Sequence, residues 1–362
     1  MAIPLQRDEQ QTSAVLQKWL TSKIDGATDL TISGLMSPPA SGFSNETILF
    51  DAEWTGSDGG RHTEGLVVRV KPSGYQVFLE SDFELQYQLL EVLARDTDVP
   101  VPVMRWYEAD ESLLGAPFFA MRKVAGQAPG DNPPYNQEGW LFDATPDERH
   151  RVWRHAVDAL VAVHSIPTEL VAFVGKPELG ETGLDQIFEY WRRSFEWARA
   201  GEEYRIASAA LAWMEANMPA DRPTALSWGD ARIGNILFHD GDVQAVLDWE
   251  MLSLGGHQMD LAWWLFLDQF HSHTMPRLEG LGSREETISI WEAGTGERAD
   301  NLEWYEVFAG FRFAIVLMRI GQMYQSMGIS VADRGNMERK NPVLEIVAEK
   351  LGIEPPNDSP SG

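Results

Sequence analysis

Residues Ser227–Glu250 read SWGDARIGNILFHDGDVQAVLDWE, and this stretch decides the fold. Asp230 is followed by Asn235, and Asp248 closes an apolar run. A carboxylate, an amide and a second carboxylate in that order suit phosphoryl transfer. The first carboxylate orients or deprotonates a hydroxyl, while the amide and the other carboxylate hold Mg²⁺. Ile236–Phe238 and Val243–Leu247 are short apolar runs that flank the turn residues His239-Asp240-Gly241-Asp242. A hairpin with a four-residue turn sets Phe238 opposite Val243, and therefore Asn235 opposite Val246. Side chains alternate faces along a strand, so Asp248 shares a face with Val246. Asn235 and Asp248 then become diagonal neighbours about 7–8 Å apart at the backbone. Two oxygen ligands so placed can share one ion. Asp230, on the loop before the first strand, faces the same space. An isolated D-x-x-x-x-N is most often turn and capping chemistry, so the argument for function rests on the complete constellation.

The constellation resembles the aminoglycoside phosphotransferase and choline kinase-like superfamily, a branch of the protein-kinase-like fold. The residues that carry the resemblance are Trp228-Gly229-Asp230, Asn235 and Leu247-Asp248-Trp249-Glu250. Downstream, Gly255-Gly256-His257-Gln258-Met259-Asp260-Leu261-Ala262 is similar to the family's G-x-P-x-x-D-L-A segment. Upstream, Leu160-Val161-Ala162-Val163-His164 is similar to its L-A-x-L-H helix end. The resemblance implies an α+β, two-lobed fold with a small antiparallel-sheet N-lobe and a larger, mostly helical C-lobe. It implies ATP or GTP and Mg²⁺ as cofactors and a small-molecule hydroxyl as acceptor. Asp230 takes the catalytic position, Asn235 and Asp248 the metal positions, and Asp260 that of a structural acid bracing the catalytic loop. The chain departs from the family at Trp228, where a bracing His is usual. The phosphate-contacting cation falls on Arg69, with Lys71 on the same strand face as the alternative. Glu84 falls where the fold places an acidic partner for that cation.

Residues 1–124 read as the nucleotide-binding lobe, 125–352 as the catalytic and substrate lobe, and 353–362 as a disordered tail. In the first lobe Gln10–Ile24 is helical, with Val15, Leu16, Trp19 and Leu20 on one face. Strands are expected at Asp29–Leu35, Glu46–Trp54, Leu66–Lys71, Val101–Glu108 and Pro117–Val124. The loop Ser41-Gly42-Phe43-Ser44-Asn45 stands where a phosphate-covering loop belongs, with Ser44 and Asn45 as contacts, although an ordinary hairpin loop reads the same way. Asp82–Arg95 is helical, with Phe83, Leu85, Leu89, Leu90 and Leu93 inward. Backbone groups near Met121–Lys123, including Met121 and Lys123, are the expected adenine contacts. The rest is mainly helical: Pro146–His164, Leu184–Ala200, Tyr204–Met218, His257–Phe270, Arg284–Ala293, Trp304–Met327 and Pro342–Leu351.

Composition narrows the function classes. The 29 basic and 55 acidic residues leave a net charge of −26, which argues against nucleic-acid binding and suits a cationic acceptor. Solubility explains the same charge. No apolar run approaches the roughly 20 residues of a membrane span. The start MAIPLQRDEQQ lacks the features of a secretory signal, and there is no cysteine, so a cytoplasmic location is expected. Phosphate-loop, nucleophile-elbow and complete dinucleotide fingerprints are missing. His271 and His273 read as exposed helix-end residues, and Trp263, Trp264, Phe266 and Phe270 as core or an acceptor wall. Arg232 suits phosphate or a carboxylate, and Glu250 metal, substrate or solvent. The expectation is a Mg²⁺-dependent phosphotransferase acting on an aminoglycoside-like or metabolic hydroxyl, including a hydroxyacyl group. The second of these follows from a likeness to proteins associated with acyl-CoA dehydrogenases. The alternative is a catalytically weak nucleotide-binding regulatory module. Oligomeric state is left open.

Overall fold

The structure is a computed structural model that describes residues 7–38, 45–72, 74–80, 82–131, 133–273 and 275–356, the side chains of residues 333 and 334 excepted. Ser44 and its neighbours 39–43, and the tail from 357 onward, lie outside the described residues. The chain forms two compact units. One comprises residues 1–76, 83–96 and 100–125, and the other residues 77–82, 97–99 and 126–362.

The first unit contains α1 (Glu9–Lys23), β1 (Thr28–Met36), β2 (Glu46–Thr55), β3 (Arg61–Val70), α2 (Phe83–Asp96), β4 (Met104–Glu108), α3 (Glu111–Leu114) and β5 (Phe118–Arg122). Its strands form one antiparallel sheet in the order β1-β2-β3-β5-β4. Period-two alternation sends Ile48, Phe50, Ala52, Leu66, Val68, Val70, Phe118 and Ala120 to one face. There they pack with Leu16, Trp19 and Leu20 of α1. Phe119 points to the other face and meets Phe83 of α2 at 4.8 Å between ring centroids. The sheet therefore carries a helix on each face.

β3 begins earlier than its apolar run suggests, because ladder pairing with β2 continues through exposed residues to Thr55↔Arg61. β4 starts later than expected. Pro100 and Pro102 cannot donate to a ladder, so pairing begins at Met104. In α2, Gln86 is buried and Leu85 only half-buried, a small rotation from the expected face.

The second unit contains α4 (Trp140–Asp143), α5 (Pro146–His164), α6 (Gly183–Arg199), α7 (Arg205–Ala216), the hairpin β6 (Ile236–His239) and β7 (Asp242–Val246), α8 (His257–Ser272), α9 (Arg284–Thr295), α10 (Leu302–Ser326), α11 (Val331–Arg334) and α12 (Pro342–Leu351). Helix starts follow local chemistry. Thr145 with Glu148, Thr182 with Asp185 and Ser283 with Glu286 form capping boxes, and Pro146 and Pro342 occupy first-turn positions that need no N–H partner. The short helices α3, α4 and α11 and a 3₁₀ turn at Thr168–Val174 were not legible as periodic patterns.

Helix α10 overturns the expectation about apolar length. By length and composition it is apolar enough to cross a membrane, yet 72% of its most apolar window is buried inside the protein. It packs against α6, α7, α8 and α12 and is the core helix of this unit. Glu306 on α10 is buried and pairs with Lys350 of α12 and Arg284 of α9. Gly310 permits the closest approach: a Cβ there would lie 2.3 Å from Val347 Cγ2 and 2.8 Å from Phe266 Cε2. Gly310→Ala gains about 1 kcal/mol of helix propensity. It also overpacks the contact at a cost of about 1–3 kcal/mol. We expect net destabilisation in urea denaturation, and a more stable variant would contradict this packing.

Candidate active site

The loop that carries Asp230 is hung from one buried carboxylate. Asp260, in the first turn of α8, is fully buried. Its Oδ1 accepts from Ser227 Oγ at 2.7 Å and from the Gly229 amide at 2.8 Å. Its Oδ2 accepts from the Trp228 amide at 2.6 Å and from His164 Nε2 at 3.1 Å. Trp291 Nε1, which can only donate, reaches His164 Nδ1 at 2.8 Å. Nδ1 is therefore the acceptor, and the ring carries its proton on Nε2, toward Asp260. Burial alone would raise the Asp260 pKa, but His164, Ser227 and the loop amides outweigh it and hold the carboxyl below its usual 3.8. Gly229 follows at φ 96°, where a Cβ would lie 2.0 Å from the Met251 carbonyl oxygen, so only glycine fits. Its carbonyl accepts from Arg312 Nη2 at 3.0 Å.

Trp228 is fully buried and replaces the bracing His with another donor. Its indole N–H reaches the Leu247 carbonyl at 2.8 Å, and its ring lies 5.9 Å from that of Trp249. The Leu247 amide donates to the Asn235 carbonyl at 2.8 Å. Trp249 Nε1 donates to the Val246 carbonyl at 3.1 Å. Asp248 stands between these anchored residues at φ 60°, a left-handed conformation that a non-glycine residue adopts at a cost of about 1–2 kcal/mol.

The hairpin register corrects the route to this arrangement. Phe238 does face Val243, but a bulge follows, and Ile236 pairs with Val246. One inserted residue shifts the register and reverses facing, so Asn235 lies beside Leu247 rather than opposite Val246. Asn235 sits in the 3₁₀ turn Ile233–Asn235, and Asp248 lies beyond the end of β7. Neither belongs to a strand face. Asn235 is tied to Asp248's chain neighbour by a backbone hydrogen bond.

The Asp230 carboxylate is held by three donors. Trp263 Nε1 reaches Oδ1 at 2.8 Å; Asn235 Nδ2 reaches Oδ2 at 2.7 Å and Arg232 Nε reaches it at 3.1 Å. Asn235 Nδ2 also contacts the Asp230 carbonyl at 3.0 Å, which turns its Oδ1 away from that carboxylate. Arg232 bridges Asp230 and Asp131. Burial opposes its charge, but the two carboxylates more than offset this and raise its pKa. A cavity of about 20 Å³, the space of one water, adjoins Arg232, Tyr135, Trp264 and His271. His271 is not an exposed helix-end residue: it is half-buried, Asn136 donates to its carbonyl, and burial pushes its pKa down to about 4. His273 does face solvent and pairs with Glu345 at 3.0 Å.

The candidate residues of the first unit lie on and beside its sheet. Arg69 is half-buried on β3, opposite Thr47 and Phe119. Lys71 follows, its amide bonded to the Pro117 carbonyl. Glu84 is exposed and makes no ion pair with Arg69 among the described residues, contrary to expectation. The inward side of α2 is taken by Phe83, Gln86, Leu89, Leu90 and Leu93. Met121 lies within the ladder between Val67 and Met104. The Arg122 and Lys123 amides are bonded to the carbonyls of Val103 and Gly65, and the Lys123 side chain pairs with Asp51 at 3.5 Å. Both N–H groups are thus committed within the unit. Asn45 is buried at the start of β2, and Glu250 of the second unit is half-buried. Among the described residues no cluster of three or more His, Asp or Glu forms a metal-binding group. Sequence reasoning missed Asp131, Arg312 and the hydrogen bond from Trp263. Arg312 and Arg319, two cations within the apolar α10, are the signal that pointed to something.

The antiparallel sheet flanked by α1 and α2, with the braced loop and hairpin of the helical unit, defines the protein-kinase-like fold of aminoglycoside and macrolide phosphotransferases. Residues 36–292 match the phosphotransferase enzyme family, and the chain belongs to that family. It is similar to a solved structure from Ralstonia eutropha provisionally described as an aminoglycoside phosphotransferase. That likeness has a TM-score of 0.65 and 22% identity, covering 94% of this chain and 98% of that one. An aminoglycoside phosphotransferase solved with ADP and hygromycin B gives 0.54 and 15%, over 87% and 95% of the two chains. Acyl-CoA dehydrogenase family member 10 of Mus musculus is 26% identical over 78% of this chain. The match covers only 26% of that relative's length.

Asp260→Asn substitutes an amide nitrogen for one accepting oxygen and leaves buried donors unpaired. We expect a loss of roughly 3–5 kcal/mol in denaturant titration. Because the folded carboxyl titrates below 3.8, its contribution is complete well above that pH and is lost as pH falls through the lower folded value. The variant should therefore lose less stability on acidification than the wild type does; equal acid sensitivity would contradict the assignment.

Proposed function

We propose that this phosphotransferase is a Mg²⁺-dependent kinase that moves the γ-phosphate of ATP or GTP to a small-molecule hydroxyl. The observation that carries the reading is the Asp230 carboxylate, fixed by Trp263, Asn235 and Arg232. Asp230 orients the acceptor hydroxyl and takes its proton. Asn235 Oδ1, turned outward, and the Asp248 carboxylate are hard oxygen donors. They fit Mg²⁺, which takes one or two protein ligands and completes its shell with water and phosphate. When bound, the ion supplies neutralisation of phosphate charge. In the first unit, Arg69 positions the nucleotide phosphates, with Lys71 as the second cation. Asn45 and Ser44 belong to the loop that covers them. With the amides of Arg122 and Lys123 engaged, adenine recognition falls to the remaining backbone groups around Met121–Lys123. Residues 1–124 then serve as the nucleotide lobe and 125–352 as the catalytic and acceptor lobe. Positioning and charge stabilisation carry most of the rate in such a reaction.

Two acceptor classes are in play. The charge of −26 favours a polycationic aminoglycoside at long range. Near Asp230, however, Arg232 pairs with both Asp230 and Asp131 and cancels one of their two negative charges, and Trp263 and Tyr135 are aromatic. Those surroundings, together with a relative named for acyl-CoA metabolism, favour a metabolic hydroxyl such as a hydroxyacyl group. Trp228 in place of a His does not argue for a passive nucleotide-binding module, because its indole N–H holds the Leu247 carbonyl.

The test is diphosphate-nucleotide release with Mg²⁺ against a panel of aminoglycosides and hydroxyacyl thioesters. Acceptor-dependent release is expected. Asp230→Ala should lower kcat by about 10²–10⁴-fold with nucleotide Kd nearly unchanged. Turnover near wild type in that variant would rule the assignment out. Asp248→Ala should raise the Mg²⁺ concentration needed for half-maximal rate; an unchanged requirement would remove Asp248 from the metal site.

A further inference from the structure

The two oxygens of Asp230 are not equivalent. A carboxylate has about four lone-pair directions, two on each oxygen. Oδ2 already receives Asn235 Nδ2 and Arg232 Nε. Oδ1 receives Trp263 Nε1 alone, which leaves it one open direction. Trp263 is 3% exposed, and its ring rests on the Arg312 guanidinium at 4.4 Å. Arg312 is 1% exposed, bonds the Gly229 carbonyl through Nη2, and leaves Nε and Nη1 without partners. A buried cation with unsatisfied N–H groups is costly, and an apolar side chain of similar volume would avoid that cost. Burial pushes the Arg312 pKa down to about 10, with Asp260 and Asp230 acting against the fall, so the group stays charged at neutral pH. That charge lies under the face of the indole whose N–H meets Asp230. Cation–π attraction holds the ring, and the bond to Gly229 holds the cation to the catalytic loop.

We propose that Trp263, seated on Arg312, is a positioning residue for phosphoryl transfer: its indole N–H locks the Asp230 carboxylate so that Oδ1, and not Oδ2, receives the acceptor hydroxyl. This rests on the phosphotransferase role proposed for Asp230. The acceptor oxygen forms its bond to the γ-phosphorus as the bond to the bridging oxygen breaks. The bonding pair leaves with the nucleoside diphosphate, and the hydroxyl proton passes to Oδ1. Without the indole donor the carboxylate turns about its Cβ–Cγ bond, and the open lone pair loses its aim.

Phenylalanine separates this role from packing, because it keeps an aromatic ring and removes the N–H. In Trp263→Phe, kcat should fall by about 10–100-fold, the size of effect that small misplacements produce, with nucleotide Kd and melting temperature nearly unchanged. Arg312→Met should lower kcat in the same way, with Arg312→Lys retaining more activity. The double variant should be no slower than the worse single variant, since both act through one chain of contacts. An independent reading comes from the ¹⁵N-labelled indole resonance that disappears in Trp263→Phe. It should move in Asp230→Ala. Wild-type kcat in Trp263→Phe, or an indole resonance indifferent to Asp230→Ala, overturns the proposal while the phosphotransferase reading stands. Wild-type protein that releases no diphosphate nucleotide with any acceptor overturns both.

Discussion

The Asp260 carboxylate ties two helices to a loop: it stands in the first turn of α8, His164 ends α5, and the Ser227 hydroxyl and the Trp228 and Gly229 amides belong to the loop that carries Asp230. A buried carboxylate without partners would be untenable, so the loop backbone must present consecutive amides to it. That demand forces the positive φ at Gly229 and brings its carbonyl to Arg312. Asp230 leaves the loop in the direction these bonds dictate. The acid that orients everything is thus one residue set removed from the acid proposed to do chemistry.

Tryptophan does much of the remaining work. Trp291 sets the His164 tautomer, Trp228 holds the Leu247 carbonyl beside Asp248, and Trp263 holds Asp230. An indole N–H donates and never accepts, so each contact has one polarity and cannot invert with a proton shift, as an imidazole can. Trp228 in the place of a His is therefore a change of donor with the brace retained. The ring also fills space: Trp228 and Trp291 are among the largest fully buried side chains. Rigidity and donation come from the same residue.

Most of the elements were legible because their periodicities are long and their caps are local. Pro146–His164 and Pro342–Leu351 have the expected bounds, since proline and capping side chains mark their starts in the chain itself. The hairpin was legible as an element but not in register. The bulge near Phe238 depends on ladder bonds that no single-residue pattern encodes. Among the described residues Arg69 and Glu84 are not shown as a pair, for a similar reason: the rotation of α2 is settled by which apolar residues pack, and Glu84 is left outward. Run length alone underrated α10: Glu306 and Arg312 break its apolar run, yet they are buried in ion-pair and aromatic contacts, which linear hydropathy treats as solvent-facing.

By itself the sequence singled out Asp230, Asn235 and Asp248 as the residues proposed for the chemistry, Asp260 as the acid that braces their loop, and an α+β chain of the kinase-like kind. Those conclusions depend on residue type and spacing, which are local. The tertiary structure alone decided that Trp228 braces the loop, that Trp263 and Arg232 take opposite oxygens of Asp230, and that Arg312 sits beneath the indole. Each of these joins residues far apart in the chain. Hydrogen-bond direction and burial exist only once the helices have packed.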